Sequence, residues 1–249
     1  MELFGVDLWA TALVFARVGA MLMLFPAFGE PTIPAPIRLT FALLVTAVLA
    51  PALQDQFAAA PTQFGAAIGA LIGETLIGIA LGAVAQILTS ALATAGQILA
   101  METGLSYAQT ADPTAAGTGQ VLSVFLGLLG VTLVFATDLH HVFLRALVDS
   151  YALFKPASPL AVGDISQLGV RAVGDSFRIA LQMTAPVIFA GLIFRIGLGI
   201  LSRLIPQIQV FFVAMSVNVL GGFMIAALAL SAGMLLWLDR LDQFATTLR

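Results

Sequence analysis

The sequence predicts an all-α protein that is embedded in a membrane or in an assembly within one. The segment from Leu204 to Leu238 carries no charged residue over about 35 positions, whereas roughly 20 apolar residues span a bilayer. Hydrophobic residues make up 60 % of the 249 positions and charged residues only 9 %. The mean hydropathy is +1.06, far from soluble globular usage, in which about a quarter of residues are charged. A water-soluble fold is therefore not expected.

Helix-breaking residues divide the first part of the chain into a hairpin. A first helix is predicted from Leu8 to Phe25, and prolines and glycines after it impose a stiff turn, because proline lacks the amide donor and restricts the residue before it. A second helix is predicted from Ile37 to Ala50, where Pro51 ends it. Two antiparallel helices are the expected result.

The third apolar stretch, from Gln63 to Met101, contains no proline. As one helix at about 1.5 Å per residue it would be on the order of 58 Å long, nearly twice the hydrocarbon thickness of a bilayer. It must therefore bend, fold back or project out of the bilayer. A polar window from Glu102 to Gln120 follows and is rich in loop-forming residues.

Three more helical segments complete the chain. One is predicted from Val121 to Val148, and the next, after a polar loop, from Gln167 to Arg203 as a helix pair or as one helix kinked near Pro186 and Gly197–Gly199. The last runs from Pro206 to Leu238. No internal repeat is detected.

Charge and cysteine content exclude several function classes. The net charge of −3 is spread thinly and no basic run occurs, so nucleic acid is not expected as a partner. The absence of cysteine removes disulfides, thiolate catalysis and zinc–thiolate sites. No nucleophile elbow, phosphate-binding loop or paired-carboxylate motif is present. The sequence therefore predicts neither an enzyme nor a cofactor.

Glu74 is a carboxylate inside an apolar helix. It shares a stripe with small and polar side chains at successive i+4 positions, namely Gly78, Gly82 and Gln86. A second ladder of small residues, which lets helices approach closely, consists of Gly65, Gly69 and Gly73. Glu74 is then either a proton or ion relay or a buried interhelical hydrogen-bond acceptor. The acceptor is favoured, because no second acidic residue or histidine lies on the stripe.

Two further sets of polar residues each allow two interpretations of their role. Arg17 lies more than a turn inside the first apolar helix, where it either snorkels to an interface or pairs with a partner chain. Asp138, His140 and His141 are potential metal ligands. Adjacent histidines on a helix point about 100° apart, and only Asp138 and His141 are expected to share a face. A polar cluster at a helix end near the membrane boundary is therefore favoured over a metal site.

Short strings along the chain carry a resemblance to a known family. The first runs from Phe25 to Gly29 and continues through Ile33-Pro34 to Ile37-Arg38. The second is Gly73-Glu74-Thr75-Leu76-Ile77-Gly78-Ile79-Ala80-Leu81-Gly82, which is similar to an E-x-x-I-G-x-x-L-G helix. The others are Ala95-Gly96, Gly104-Leu105-Ser106-Tyr107-Ala108, Asp112-Pro113, His140, Leu147-Val148-Asp149-Ser150 and Arg203-Leu204-Ile205-Pro206-Gln207. In this order they resemble the FliR family of flagellar export-gate proteins, whose injectisome counterpart is called SctT.

Three positions depart from the family pattern. Glu102-Thr103 stands where the family often has Gln-Met, and Asp138-Leu139-His140 stands where it often has Asn-Gly-His. Ser216 replaces a family proline. None of the three interrupts a hydrophobic helix, so they affect local geometry and not membership.

The resemblance implies a fold and a set of partners. It implies long broken helices and helical hairpins packed in a right-handed spiral with partner subunits, with residues 1–163 FliP-like and residues 164–249 a FliQ-like hairpin. It further implies a multi-pass subunit of the flagellar basal body in the bacterial inner membrane. Its expected partners are FliP-like and FliQ-like subunits, an FlhB-like protein and exported unfolded proteins, and its expected role is to form and seal their conduit.

The resemblance also assigns roles to residues. A pore-occluding loop is expected from Gly104 to Gly119, and its alternative is an ordinary interhelical connection. Its residues are Gly104, Leu105, Ser106, Tyr107, Asp112, Pro113, Gly117 and Gly119. Residues expected to serve assembly or interhelical contacts are Arg17, Pro26, Pro34, Arg38, Gly73, Glu74, Gly78, Gly82, His140, Pro206 and Gln207.

Two other function classes compete with an export gate. A secondary transporter would use broken helices and an intramembrane Glu74 site, and it would purify as a functional monomer or homo-oligomer. A gate subunit would instead copurify with other hydrophobic chains. A membrane-embedded enzyme is disfavoured by the missing catalytic constellation.

Overall fold

Seven α-helices make up most of the part of the chain that the structure describes. The computed structural model describes residues 2–3, 6–26, 28–29, 33–57, 61–106, 120–156, 162–204 and 210–247. Two short antiparallel strands come first, β1 (Glu2–Leu3) and β2 (Val6–Asp7). The helices are α1 (Leu8–Leu24), α2 (Ala35–Leu53), α3 (Phe64–Glu102), α4 (Val121–Ala136), α5 (Leu139–Leu153), α6 (Val162–Leu204) and α7 (Val210–Thr247).

The first two helices confirm the predicted pair, with one correction at the end of α2. The Asp7 carboxylate caps α1 by accepting from the Trp9 amide at 3.0 Å. Helix α2 begins directly after Pro34 and continues through Pro51 to Leu53, so the predicted end at Ala50 was too early. Because Pro51 lies in the last turn, it removes only one backbone hydrogen bond from a helix that is about to end.

Helix α3 is one continuous helix of 39 residues, within a residue of the predicted bounds. Of the three outcomes expected for this segment, folding back is therefore excluded. Helix α6 is likewise a single helix of 43 residues that contains Pro186, and not a helix pair. Helix α7 extends past the predicted end at Leu238 to Thr247, because Trp237, Leu241 and Ala245 recur at four-residue spacing and are all buried.

The predicted single helix from Val121 to Val148 was wrong. It is two helices, α4 and α5, which are interrupted at Asp138. The φ angle of Asp138 is 56°, and no other non-glycine residue among those described has a positive φ. A left-handed residue cannot continue the helical hydrogen-bond ladder, and aspartate tolerates this conformation better than most side chains do. Thr137 and Asp138 interrupt the apolar pattern at the break, but no glycine or proline marks it, which is why one helix was predicted.

Contacts within the chain define two compact units. Unit 1 consists of the described residues within 1–88, 135–173 and 241–249, and unit 2 of those within 89–134 and 174–240. In unit 1, α1 lies at the centre, with Leu13, Val14 and Val18 almost fully buried. The predicted division at residue 164 concerns similarity to FliP and FliQ, which is a different property, and it stays a prediction.

Glycines determine how closely α1 and α3 approach in unit 1. A Cβ on Gly78 would overlap the backbone carbonyl of Arg17 and lie 2.9 Å from the Ala20 Cβ, and one on Gly82 would lie 2.8 Å from the Met21 carbonyl oxygen. The stripe at i+4 spacing is therefore a helix–helix contact within the chain. In contrast, Gly65 and Gly69 of the second ladder have no neighbouring atom within 4 Å of a built Cβ.

Four of the described helices are long and apolar enough to cross a membrane, or up to five if the pair interrupted at Asp138 counts as one span. The four are α2, α3, α6 and α7, whereas α1 is an apolar helix of 17 residues. Much of their surface carries exposed large apolar side chains, such as Val48, Phe64 and Leu228. The all-α membrane class that the sequence predicts is confirmed.

We expect Gly78→Ala to destabilise the fold by about 1–3 kcal/mol, because the added methyl group must push α1 away from α3. The matched control is Gly127→Ala in α4, where a built Cβ meets no atom within 4 Å. It should be neutral or slightly stabilising, since alanine favours the helix by about 1 kcal/mol over glycine. Thermal unfolding of the protein in detergent measures both. Equal unfolding midpoints for the two variants would contradict the close approach.

Candidate functional site

The most buried polar site lies in unit 1 and joins α1 to α3. The Arg17 Nε donates to the Glu74 Oε2 at 2.7 Å, and the two side chains are 0 % and 1 % exposed. A charge buried this deeply is stable only when it is paired and hydrogen-bonded. Glu74 is therefore an interhelical acceptor, the favoured one of its two interpretations.

Helix α5 completes the surroundings of the Arg17 guanidinium. Nη1 donates to the Ser150 Oγ at 3.2 Å, and Nη2 donates to the Phe154 carbonyl oxygen at 2.9 Å. The Cζ atom lies 3.9 Å from the centroid of the Tyr151 ring, which adds a cation–π contact. The described structure supports neither of the two alternatives raised for Arg17, snorkelling to an interface and pairing with a partner chain, whereas it agrees with the expectation of an interhelical contact. The partner of Arg17 is 57 positions away on another helix, and no local pattern links the two.

The turn between α1 and α2 is held by aromatic rings. The Phe28 ring stacks on Phe41 at 4.8 Å between centroids and meets Phe135 edge-on at 5.8 Å, while Phe25 meets Phe143 at 4.7 Å. Pro26 and Pro34 lie at the two ends of this turn, and the Arg38 Nη1 donates to the Gly29 carbonyl oxygen at 3.4 Å. The string from Phe25 to Arg38, which contributes to the family resemblance, therefore connects the two helices of a hairpin within the chain.

His140 lies beside the same aromatic residues. Its ring centroid is 5.1 Å from that of Phe135 and 4.0 Å from that of His141, and the His141 Nδ1 is 3.6 Å from the Asp138 Oδ1. Potential ligand atoms of Asp138, His140 and His141 all lie within 4.8 Å of one another, so the expectation that only two of them converge was wrong. The two histidines are adjacent on α5, yet their ring centroids lie 4.0 Å apart, so both can approach the Asp138 carboxylate.

This cluster is nevertheless a poor cation site. The side chains of Asp138 and His141 are 79 % and 69 % exposed, so water competes for them. They also lie at the N-terminus of α5, where free backbone N–H groups favour anions over cations. The interpretation of the cluster as a polar helix end stays a prediction.

A second polar cluster lies in unit 2, and sequence reasoning missed it as a site. The Arg195 Nη2 on α6 donates to the Glu102 Oε2 at 2.7 Å, and the Asn218 Nδ2 on α7 donates to the Glu102 carbonyl oxygen at 2.9 Å. Thr103 is fully buried, and its Cγ2 would lie 2.8 Å from a Cβ built on Gly222. We call Glu102, Thr103, Arg195 and Asn218 the Glu102 cluster. The sequence did contain a signal for this cluster. Glu102 and Arg195 are charged residues in apolar helices, and such charges need partners.

The predicted pore-occluding loop starts at this cluster. Gly104 is buried and has a φ of 84°, the left-handed conformation that commonly ends a helix, and the Ser106 amide donates to the Ala100 carbonyl oxygen at 3.2 Å. Leu105 and Ser106 are half-buried. The predicted residues that lie outside the described part of the chain are Tyr107, Asp112, Pro113, Gly117, Gly119, Pro206 and Gln207.

Comparison with known proteins identifies the family. The family model described as "Bacterial export proteins, family 1" matches residues 8–244. The chain belongs to this family. The match confirms the resemblance drawn from the order of short strings, and it covers all seven helices of this export protein except the last three residues of α7.

Curated relatives of this export protein are named "Flagellar biosynthetic protein FliR". One from Caulobacter vibrioides is 43 % identical over 94 % of this chain and 93 % of its own length. Another from Pectobacterium carotovorum is 31 % identical over 87 % of this chain and 82 % of its own length. A third from Bacillus subtilis is 24 % identical over 91 % of this chain and 88 % of its own length.

The structure predicts the effect of neutralising Glu74. Glu74→Gln should destabilise the protein by about 3 kcal/mol or more, because Arg17 cannot lose its proton and would remain buried beside a neutral group. Thermal unfolding in detergent measures the loss. Arg17→Met combined with Glu74→Leu should recover most of it, since an apolar pair of similar volume leaves no charge unpaired. Loss of function in Glu74→Gln at wild-type stability would favour a relay instead.

Proposed function

We propose that this chain is a subunit of the core export gate of the flagellar type III protein secretion apparatus in the bacterial inner membrane. The observation that carries the proposal is the family match over residues 8–244, together with relatives named as flagellar biosynthetic proteins along nearly their whole length. The subunit forms part of the conduit through which unfolded flagellar proteins leave the cytoplasm. Neither comparison supports the alternative of a secondary transporter.

The role that we propose is structural and not enzymatic. The buried Glu74 carboxylate accepts from the Arg17 guanidinium at 2.7 Å, an arrangement that fixes it between two helices. A transporter or relay carboxylate must instead bind and release its proton or ion. The Arg17–Glu74 pair therefore favours assembly over transport chemistry.

Partner subunits are needed to cover helix α6. Its exposed large apolar side chains extend from Val170 to Leu204, about 51 Å along the helix axis, whereas the hydrocarbon core of a bilayer is about 30 Å thick. Lipid alone does not cover this length. Gly197 and Gly199, which have no neighbouring atom within 4 Å of a built Cβ, let the backbone of a partner helix come close.

The identity of these partners rests on the family resemblance. We propose FliP-like and FliQ-like subunits as stable partners and an FlhB-like protein as a contact, with exported unfolded chains as transient occupants. The same resemblance makes residues 1–163 the FliP-like part and residues 164–249 the FliQ-like hairpin. A spiral arrangement with these subunits would cover the apolar faces that the single chain leaves exposed.

The segment from Gly104 to Gly119 is proposed as the seal of the idle conduit. A channel wide enough for protein would leak ions if it were left open, so a seal is required. The described start of the segment supports the proposal, because Gly104 is buried in the left-handed conformation and its position is therefore defined.

Coexpression tests the proposed partnership. We expect the chain to be unstable alone and to copurify as one large complex with the FliP-like and FliQ-like proteins, because exposed apolar faces longer than the bilayer need protein neighbours. Affinity purification in mild detergent, followed by mass analysis of the bound chains, measures this. A monodisperse, heat-stable protein purified alone would argue against the proposal.

Shortening the proposed seal tests its role. Deletion of Tyr107 to Ala116 should raise the sensitivity of growing cells to small toxic solutes while the complex remains recoverable, because the helices on either side are unchanged. The control is a variant in which the same ten positions are kept in number but changed to Gly and Ser, which separates length from side-chain contact. If cells that contain intact complex show unchanged permeability, the segment is an ordinary interhelical connection and not the seal.

A further inference from the structure

The Glu102 cluster joins three helices of unit 2 at one residue. Glu102 is the last residue of α3, and its carbonyl group is one of the last four, which have no partner within the helix. Asn218 of α7 supplies the missing donor, and Arg195 of α6 neutralises the carboxylate. The side chain and the backbone of one residue are therefore each bound by a different helix.

Polar contacts add to close packing in determining the position of Glu102. A cavity of about 140 Å³ lies beside it, lined mainly by apolar residues of α6 and α7 such as Val187, Phe194 and Ile225. The cavity is partly open to the surface, so packing on that side of Glu102 leaves room for the end of α3 to shift. The ion pair and the amide hydrogen bond resist that shift.

We propose that Glu102, Arg195 and Asn218 are positioning residues that hold the gate in its sealed state by fastening the end of α3 to α6 and α7. The inference rests on the proposed function, because it assumes an idle gate that must not leak. Thr103 and Gly104, which follow directly, are buried and take their position from this attachment.

The partial exposure of the Arg195–Glu102 pair is compatible with a contact that breaks and forms again. The Arg195 side chain is 58 % exposed and that of Glu102 is 17 % exposed, whereas Arg17 and Glu74 are wholly buried. A partly exposed pair shifts an equilibrium by only about fivefold. The Glu102 cluster is thus strong enough to favour one position and weak enough to be released without unfolding the helices.

Charge reversal in the full export complex tests the inference. Glu102→Lys and Arg195→Glu place like charges together, and each should increase the uptake of a small toxic solute by idle cells about fivefold or more. The double variant, which restores an ion pair in the opposite sense, should return uptake to near the wild-type level. The yield of copurified complex, measured in parallel, should be similar in all three.

Asp164→Lys is the matched control. It reverses a charge at an exposed position in the first turn of the same helix, before the apolar stretch that begins at Val170. Asp164 forms no ion pair among the residues described, so uptake should be unchanged. If the charge-reversed variants fail to assemble, uptake is measured instead in Glu102→Gln and Arg195→Gln. These substitutions only remove the attraction between the two side chains. Each should raise uptake by a smaller factor than reversal does.

Two results would overturn the inference. One is intact complex with wild-type uptake in both single variants, and the other is a double variant that leaks as much as the singles. These outcomes are distinct from failure of the proposed function, in which the wild-type chain itself would not copurify with the other subunits. A third result would separate the two proposals. If the charge variants leak and the Tyr107 to Ala116 deletion does not, the inference holds, but that segment is not the seal.

Discussion

The buried ion pair between Arg17 and Glu74 is the interaction on which the packing of unit 1 depends. A guanidinium is charged at every physiological pH, so its burial demands an anion and further acceptors in a fixed geometry. Glu74 of α3 supplies the anion, and Ser150 with the Phe154 carbonyl at the end of α5 supplies the rest. One charged side chain on α1 therefore dictates where two other helices lie.

Glycine makes this arrangement sterically feasible. Gly78 lies one helical turn from Glu74, and any larger residue there would meet the backbone of α1 at Arg17 itself. The carboxylate and the close contact thus belong to one stripe of α3. Near the beginning of the same helix, Gly65 and Gly69 face open space. Glycines at four-residue spacing therefore form an internal contact along one part of α3 and leave another part free to contact neighbouring subunits.

The Arg17–Glu74 and Arg195–Glu102 ion pairs differ in how far solvent reaches them. Arg17–Glu74 is sealed from solvent and surrounded by satisfied partners, so breaking it would leave a charge with no compensation. Arg195–Glu102 lies at a helix end beside a cavity and is partly exposed. The first suits a permanent support of a helical subunit, and the second suits a position that changes when a conduit opens.

The sequence by itself determined the all-α membrane class, the approximate bounds of most helices and the family, because apolar runs, prolines and ordered strings are local signals. Tertiary structure alone decided which isolated charges pair, since Arg17 with Glu74 and Arg195 with Glu102 are 57 and 93 positions apart, and other pairings satisfy the same rule. The break at Asp138 was also hidden, because no glycine or proline marks its left-handed backbone. Long-range pairing depends on how helices meet in space, and a one-dimensional pattern does not contain that information.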